Sequence, residues 1–436
     1  MSTANVEKYS PGLHHLTTDV IVVGGGASGY FAAISAKTHH PHKRVLLLEA
    51  TGKPLQKVLI SGGGRCNVTH ACYDARELIA HYPRGGKGGK ALLGLFHAFG
   101  PGDTISWFAE QGVTLTTEAD GRLFPDTNTS ETIAHCLQDT ARTLGVETRL
   151  NTRINALMRF TEDEQPLWRL TTTEGKSFEA PEVILSLGGA RPGFDLVAGV
   201  GVPMTSGVPS LFTFNSPDKR LQGLSGVSFK QVSAWLKADS NYPVSAEQSG
   251  PLLITHWGLS GPAVLRLSAW EARRLFACGY QAQVAVNVLP ALSAAQVLMA
   301  LKDYRQAHPK RLVVRHAPDE FVGIPQRFWE ATVAYCGIPE TLQWGNLAKA
   351  QMQALVASLT EGTFAITGKG VFKEEFVTAG GVDWDGLHGN TLECKAAPGL
   401  YIVGELLNAD GITGGFNFQL AWSSGWVAGQ LKGAFQ

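Results

Sequence analysis

Two hydrophobic patterns alternate along this chain. Short unbroken aliphatic runs predict buried parallel strands at Asp19-Val-Ile-Val-Val23, Arg44-Val-Leu-Leu-Leu48, Val183-Ile-Leu-Ser-Leu187 and Leu400-Tyr-Ile-Val403. Helical stretches rich in small residues follow at Tyr30-Phe-Ala-Ala-Ile-Ser-Ala-Lys37 and at Phe418-Gln-Leu-Ala-Trp-Ser-Ser-Gly-Trp-Val-Ala-Gly429. The middle of the chain reads differently. Residues 195–270 hold strand-like pieces such as Leu211-Phe-Thr-Phe214 and Pro251-Leu-Leu-Ile-Thr255, whereas 290–358 read as mostly helical, as in Ser293-Ala-Ala-Gln-Val-Leu-Met-Ala-Leu301. Strand patterning returns at Gly362-Thr-Phe-Ala-Ile-Thr367.

Composition sharpens this only in places. Lys+Arg and Asp+Glu both total 37, so no global charge draws the chain to nucleic acid or an anionic membrane. The six cysteines are scattered without redox or zinc spacing, and no metal site is expected. Residues 1–18 lack the apolar core of a signal peptide, and no continuous apolar span predicts a transmembrane helix. The expectation is a soluble cytoplasmic protein with no membrane partner. Glycine is the outlier, with 50 residues clustered at 24–26, 62–64, 85–89, 188–189, 380–381 and 414–415. Each cluster is flanked by apolar segments, which predicts ordered loops where backbone turns tightly or approaches a ligand.

The first cluster carries the clearest chemistry. Gly24-Gly-Gly-Ala-Ser-Gly29 fits G-x-G-x-x-G between a predicted strand and helix, and the next strand ends at Glu49, twenty positions beyond Gly29. In such a unit Gly24 makes the turn, Gly26 lets the backbone reach a pyrophosphate, and Gly29 permits close helix packing. Ala27 and Ser28 lead into the helix, whose N-terminus offers unpaired N–H groups to phosphate. Glu49, followed by Ala50, would accept from the adenosine ribose. With so many glycines the bare pattern is weak; strand, helix, second strand and acid together make the case. A second fingerprint for a nicotinamide is missing, so this motif alone leaves FAD or NAD open.

Downstream runs Lys53-Pro-Leu-Gln-Lys-Val-Leu-Ile-Ser-Gly-Gly-Gly-Arg-Cys-Asn67, whose glycines could lie against a flat ring. With Gly121-Arg-Leu-Phe-Pro125, Leu253-Ile-Thr-His-Trp-Gly-Leu-Ser-Gly-Pro262, Thr378-Ala-Gly-Gly-Val382, Gly399-Leu-Tyr-Ile-Val-Gly-Glu405 and Thr413-Gly-Gly-Phe-Asn417, this loop resembles the bacterial BaiN/RdsA-type (YhiN-like) flavoprotein family, which includes aminoacetone-oxidase-like enzymes. The resemblance spans nearly the whole chain. It implies FAD as cofactor and an α/β fold: a Rossmann-like FAD/NAD(P)-binding domain interrupted by a β-rich, barrel-like domain and a small helical insert. The FAD domain is then 1–194 and 377–436, the β-rich insert 195–290 and 359–376, and the helical insert 291–358.

The resemblance also extends the cofactor site to Lys57, Gly62, Gly63, Gly64, Arg65, Cys66, Asn67, Gly188, Gly189, Gly404, Glu405, Gly414, Gly415, Phe416 and Asn417, with Glu405 bonding the ribityl chain. Three departures stand out. Ser186-Leu-Gly-Gly189 replaces Ala-Thr-Gly-Gly, the stretch Ala190-Arg-Pro-Gly-Phe194 is shortened, and Asn408 stands where an acid is common. The first two point to altered substrate access. At the C-terminus, Gly414 and Gly415 open the last helix, whose positive end would stabilise anionic reduced flavin at its N1/O2 edge; a plain terminal helix docked on the sheet would explain its small residues but not these glycines.

Candidate catalytic groups are sparser. His256, expected in a loop before a helix at Pro262, is either a proton donor or a packing residue beside Trp257. Cys66, next to Arg65, is a redox thiol, a proton donor or, without a resolving cysteine, a packing residue. Arg65 contacts cofactor or anionic substrate, or faces solvent; Arg122 is a weaker case of the same kind.

Relatives implied by the resemblance reduce a polarised C=C, as enone reductases on bile acids or as dihydrouridine synthases on ribosomal RNA. The first expectation is therefore NAD(P)H-driven reduction of a small-molecule substrate, with NAD(P)H binding transiently over the flavin. An O2-using amine oxidase is the alternative. RNA binding is a third reading, supported by the basic runs Arg305-Gln-Ala-His-Pro-Lys-Arg-Leu-Val-Val-Arg-His316 and Arg84-Gly-Gly-Lys-Gly-Gly-Lys90.

Overall fold

The computed structural model describes residues 16–162, 165–189, 191–370 and 377–432. Most of the N-terminal stretch 1–18, Ala190 in the shortened segment and 371–376 of the β-rich insert lie outside the described residues, as does the side chain of Lys87.

Two compact units emerge, residues 1–207 with 378–436, and residues 208–377. The first is built on a six-stranded sheet in the order Glu393–Cys394, Ala397–Ile402, Glu182–Leu185, Val20–Val23, Val45–Leu48, Glu147–Arg149. The last five strands run parallel, and only the Glu393–Cys394 edge is antiparallel. Both faces of such a sheet are covered, which is why its central strands carry unbroken aliphatic runs. All four residues of Val20–Val23 and of Val45–Leu48 are buried. Helices Ala27–His39 and Phe416–Gly429 pack on one another and are apolar nearly all round, as buried helices are. The loops at the carboxyl ends of the strands, where ligands of open α/β sheets bind, carry Gly24, Glu49, Ser186 and Gly404.

Some glycine clusters depart from expectation. Residues 85–89 open a helix, Gly85–Ala98, rather than a loop. Buried Leu92, Leu95 and Phe96 supply its apolar face, and tertiary burial outweighs the penalty of about 1 kcal/mol for each glycine in a helix. Gly380 and Gly381 sit inside the strand Val377–Val382, where a Cβ on Gly381 would fall 2.5 Å from the Leu406 carbonyl oxygen. There the glycine serves backbone packing instead of a ligand.

The second unit holds a seven-stranded antiparallel sheet in the order Gly362–Ile366, Ala282–Asn287, Ser228–Leu236, Gln248–Ile254, Gly258–Ser260, Phe214–Asn215, Gly368–Lys369. Its first and last strands are separated in the chain by Thr367 alone, so the sheet returns on itself as a barrel. Helices Ala294–Ala307, Gln326–Tyr335 and Lys349–Thr360 bring Val297, Trp329 and Leu355 into one core with Val232 and Val284 of the barrel. Short helices with one apolar face cannot bury it alone. The β-rich and helical segments are thus parts of one unit, and 195–207 fold with the first.

Candidate flavin site

The strand Val20–Val23 delivers the chain into a turn that glycine alone can make. Gly24 has φ +108°, and a Cβ there would lie 2.2 Å from the Ser186 carbonyl oxygen. A Cβ on Gly29 would lie 1.9 Å from the Gly24 carbonyl oxygen, so Gly29 closes the loop upon itself more than it serves helix packing. Gly26 differs from both. Its Cβ would meet nothing within 4 Å, leaving open space at the N-terminus of Ala27–His39, which has neither a side-chain cap nor an acid in its first turn. Free N–H groups facing open space make an anion cradle. The Ser28 hydroxyl is turned to Ser186 Oγ, 2.7 Å away, so Ser28 and Ala27 have their backbone amides to offer.

Glu49 is fixed beside this cradle. Its Oε2 accepts from Gly25 N at 2.8 Å, and its Oε1 accepts from Thr51 N and Thr51 Oγ1, both at 2.8 Å. A carboxylate has about four acceptor positions, so one remains for a ribose hydroxyl. Ala50 lies between these anchored residues and is half-buried. The open space at Gly26, bounded by a held carboxylate, has the room and the donors to take the ADP half of FAD.

The second glycine cluster ends the Gln56–Gly64 segment in left-handed backbone: φ is +58° at Gly62, +69° at Gly63 and +83° at Gly64. Gly63 and Gly64 would meet nothing with an added Cβ, whereas Gly62 is packed on Asn67 N and Phe124. Lys57, on the same segment, pairs with Glu405 Oε2 at 2.5 Å, while Glu405 Oε1 accepts from Thr378 N at 2.9 Å. Gly188 lies in left-handed backbone near Glu405, and Gly189 allows Thr378 Oγ1 to donate to its carbonyl at 3.1 Å. Lys57, Gly188, Gly189 and Glu405 therefore converge.

Arg65 is held on three sides. Its Nε donates to Asn128 Oδ1 and its Nη2 to Glu118 Oε1, each at 2.5 Å, and its guanidinium lies 3.9 Å from the Phe124 ring centroid. Arg122 takes the other oxygen of Glu118 at 2.9 Å and Asp120 at 2.7 Å. Cys66 is fully buried, and burial pushes its thiol up to about 12. Such a group keeps its proton, which favours the packing reading over a redox thiol.

The C-terminal helix starts at Phe416, two residues earlier than its sequence suggests. Gly415 caps it at φ +96° with no side-chain cap and no acid in the first turn. Gly404 N donates to Ser424 Oγ of the helix at 2.9 Å, and the Gly404 Cα faces Ser28. Asn417 exchanges two bonds with the Gly411 backbone, at 2.9 and 2.8 Å, and so anchors the preceding loop. Phe416 is buried, with ring centroids of His70 and His81 at 4.7 and 4.3 Å. With its amide assigned the orientation that satisfies both neighbours, Asn67 donates to Thr69 O at 3.1 Å and accepts from Gly415 N at 3.0 Å.

The family described as the HI0933-like protein Rossmann domain matches residues 18–431. The chain belongs to this family. It is 30% identical over 428 residues to the ribosomal RNA dihydrouridine synthase of Escherichia coli, covering 94% of this chain and 97% of that protein. It is 28% identical over 417 residues to the 3-dehydro-bile acid delta(4,6)-reductase of Clostridium scindens, again covering 94% and 97%. Among solved structures, a 3-ketosteroid-delta4-(5alpha)-dehydrogenase from Rhodococcus jostii shares the fold with a TM-score of 0.50 at 14% identity, covering 96% of this chain and 98% of that one. With the HI0933-like family come an FAD-binding Rossmann-like domain and an oxidoreductase activity.

His256 lies in the second unit. It tips a hairpin between Gln248–Ile254 and Gly258–Ser260, closed by Thr255 N donating to Gly258 O at 2.8 Å, and the expected helix follows at Pro262–Trp270. Both His256 and Trp257 are exposed there. Sequence reasoning missed Thr51, Glu118, Thr378, His70 and the buried ion pair of Arg84 with Asp410. Thr378 stood in the Thr378-Ala-Gly-Gly-Val382 motif, Arg84 in a basic run and Asp410 as a lone acid in an apolar loop, whereas Thr51, Glu118 and His70 carried no local signal. Among the described residues, no cluster of His, Cys, Asp or Glu is placed to hold a metal, and no helix is long and apolar enough to cross a membrane.

Proposed function

We propose that this chain is an FAD-dependent reductase that takes hydride from NAD(P)H and delivers it to a polarised C=C of a small unsaturated substrate. The observation that carries the reading is the open cradle at Gly26 beside a held Glu49, in a chain alike over nearly its full length to a bile-acid delta(4,6)-reductase. FAD, when bound, supplies the hydride chemistry; the protein supplies orientation, electrostatics and a proton. Gly24, Gly25, Gly26 and the first amides of the Ala27–His39 helix hold the pyrophosphate, and Glu49 holds the ribose. Gly62, Gly63 and Gly64 give the ring a backbone surface without side chains, and Glu405, set by Lys57, meets the ribityl chain. The uncapped start of Phe416–Gly429 offers positive potential to the ring.

Anaerobic titration with NADPH and then NADH tests this directly. The flavin absorption band is expected to bleach. A band that neither nucleotide changes would overturn nicotinamide-driven reduction and bring forward the amine-oxidase alternative or another electron donor.

The name of the Escherichia coli relative favours a second reading, reduction of uridine in ribosomal RNA, which is the same addition of two hydrogens across a C=C. The basic runs give it limited help. Arg305 donates to Gly345 O, Arg311 to Tyr304 Oη and Arg315 to Glu330, while Arg84 is paired with Asp410. RNA retention that weakens steeply with salt would favour this substrate over a small enone.

A further inference from the structure

The peptide joining Gly414 to Gly415 is gripped from both sides by one short segment. His70 Nδ1 lies 3.0 Å from the Gly414 carbonyl oxygen, and the Asn67 amide, assigned the orientation that satisfies its neighbours, accepts from Gly415 N at 3.0 Å. Both glycines stand in backbone that other residues rarely adopt, with φ +131° and +96°. Left to itself, such a peptide has many orientations. Here its plane is set by two side chains that leave the second glycine cluster three residues apart.

His70 is itself caged. It ends the strand Thr69–His70, which pairs antiparallel with Arg122–Pro125, and its ring stacks on Phe416 at 4.7 Å and 28°. Gly121 packs so close that a Cβ there would lie 2.6 Å from His70 Nε2. With Nδ1 against a carbonyl, that nitrogen carries the hydrogen and donates. The ring can therefore hold the Gly414 carbonyl whether or not Nε2 is protonated.

The geometry points to His70 as a positioning residue of the flavin cap. By fixing the Gly414 carbonyl it sets where the N-terminus of Phe416–Gly429 begins. The first-turn amides of a helix have no intrahelical acceptor, so their placement decides the potential felt by a ring held against them. The inference rests on the flavin reading above and assigns to that site a residue that no glycine motif contains.

Two variants separate donation from packing. His70→Phe keeps a ring for Phe416 but cannot donate, whereas His70→Asn keeps a donor and gives up the ring. The measurements are the FAD dissociation constant and the midpoint potential of the bound flavin. In His70→Phe, preference for reduced over oxidised flavin is expected to fall about tenfold, which for a two-electron couple is about 30 mV. His70→Asn is expected to stay near the wild-type potential even if it binds FAD less tightly. An unchanged potential in His70→Phe, or a shift in His70→Asn alone, would make His70 a packing residue and overturn the inference. A wild-type protein that takes up no FAD would overturn the flavin reading itself, and this inference with it.

Discussion

Gly425 faces the backbone of Ser28 so closely that a Cβ at this position would lie 2.6 Å from the Ser28 carbonyl oxygen. One turn later Gly429 does the same to Ala32, at 2.5 Å. The two glycines let the last helix of the chain lie directly on the helix that follows the glycine loop. Gly425→Ala must push the helices apart or strain the loop. Overpacking of this kind costs about 1–3 kcal/mol. The urea midpoint is expected to fall accordingly, with FAD retention reduced because Ser28 moves with the loop.

Glu49 gives the cofactor assignment its sharpest test. Hydrogen bonds to a charged group contribute about 1.5–3 kcal/mol, and each 1.4 kcal/mol is about tenfold in affinity. Glu49→Ala removes the acceptor proposed for the ribose and leaves Gly25 N without its partner. Fluorescence titration should show FAD binding weakened about ten- to a hundredfold. Unchanged affinity would place the adenosine elsewhere.

The loop ahead of the cap depends on a buried ion pair. Asp410 is fully buried and grips Arg84 with both oxygens. Breaking such a pair by removing one partner costs about 3–5 kcal/mol, because the other charge stays buried. Arg84→Ala and Asp410→Ala should each show this loss in chemical denaturation, and the double variant should cost much less than their sum. Additive losses would mean that the charges do not meet.

These contacts also mark where sequence reading ends. The glycine turn, Glu49 and the parallel strands were legible because their chemistry is local: a strand, a turn and a helix follow within one short stretch, and unbroken aliphatic runs mean burial on both faces. The small residues of the last helix were legible for a similar reason, although which helix they meet was not. Arg84 and Asp410, or His70 and Gly414, lie 326 and 344 positions apart, and no periodicity links them. The 85–89 cluster misled because composition argued for a loop while buried leucines downstream argued for a helix. His256 was read in a loop ahead of the Pro262 helix, where it lies; the strand Gly258–Ser260 between them went unread because three residues carry no periodicity.

Cys66 separates a reactive thiol from a structural one. Burial holds its pKa near 12, so native protein at pH 8 is expected to leave this thiol unmodified by disulfide reagents until it unfolds. Cys66→Ala should keep nicotinamide-driven flavin reduction within about threefold of wild type, and lose about 1–2 kcal/mol of stability from the vacated volume. Rapid labelling of Cys66 with loss of turnover would restore its catalytic reading.

Glu182 predicts how stability varies with pH. It opens the strand next to Val20–Val23, its Oε2 is buried without a hydrogen-bond partner, and burial raises its pKa from 4.5 to about 7. Glu393 adds to the rise, while Lys43 and Tyr401 oppose it. A carboxyl raised in the folded state binds its proton more tightly there than in the unfolded chain. The fold is therefore favoured at acidic pH and loses stability as pH climbs from about 4.5 to about 7, with no further change from this group above that range. Raising a pKa by one is worth about 1.4 kcal/mol, so the loss across this range is about 3 kcal/mol. Glu182→Gln keeps the shape and removes the titration. Denaturation midpoints measured at pH 5, 6, 7 and 8 should fall more steeply for wild type than for the variant, the gap opening between pH 5 and 7 and then holding constant. Parallel profiles would show that Glu182 stays ionised in the folded protein, shielded by Lys43 or by water at its second oxygen.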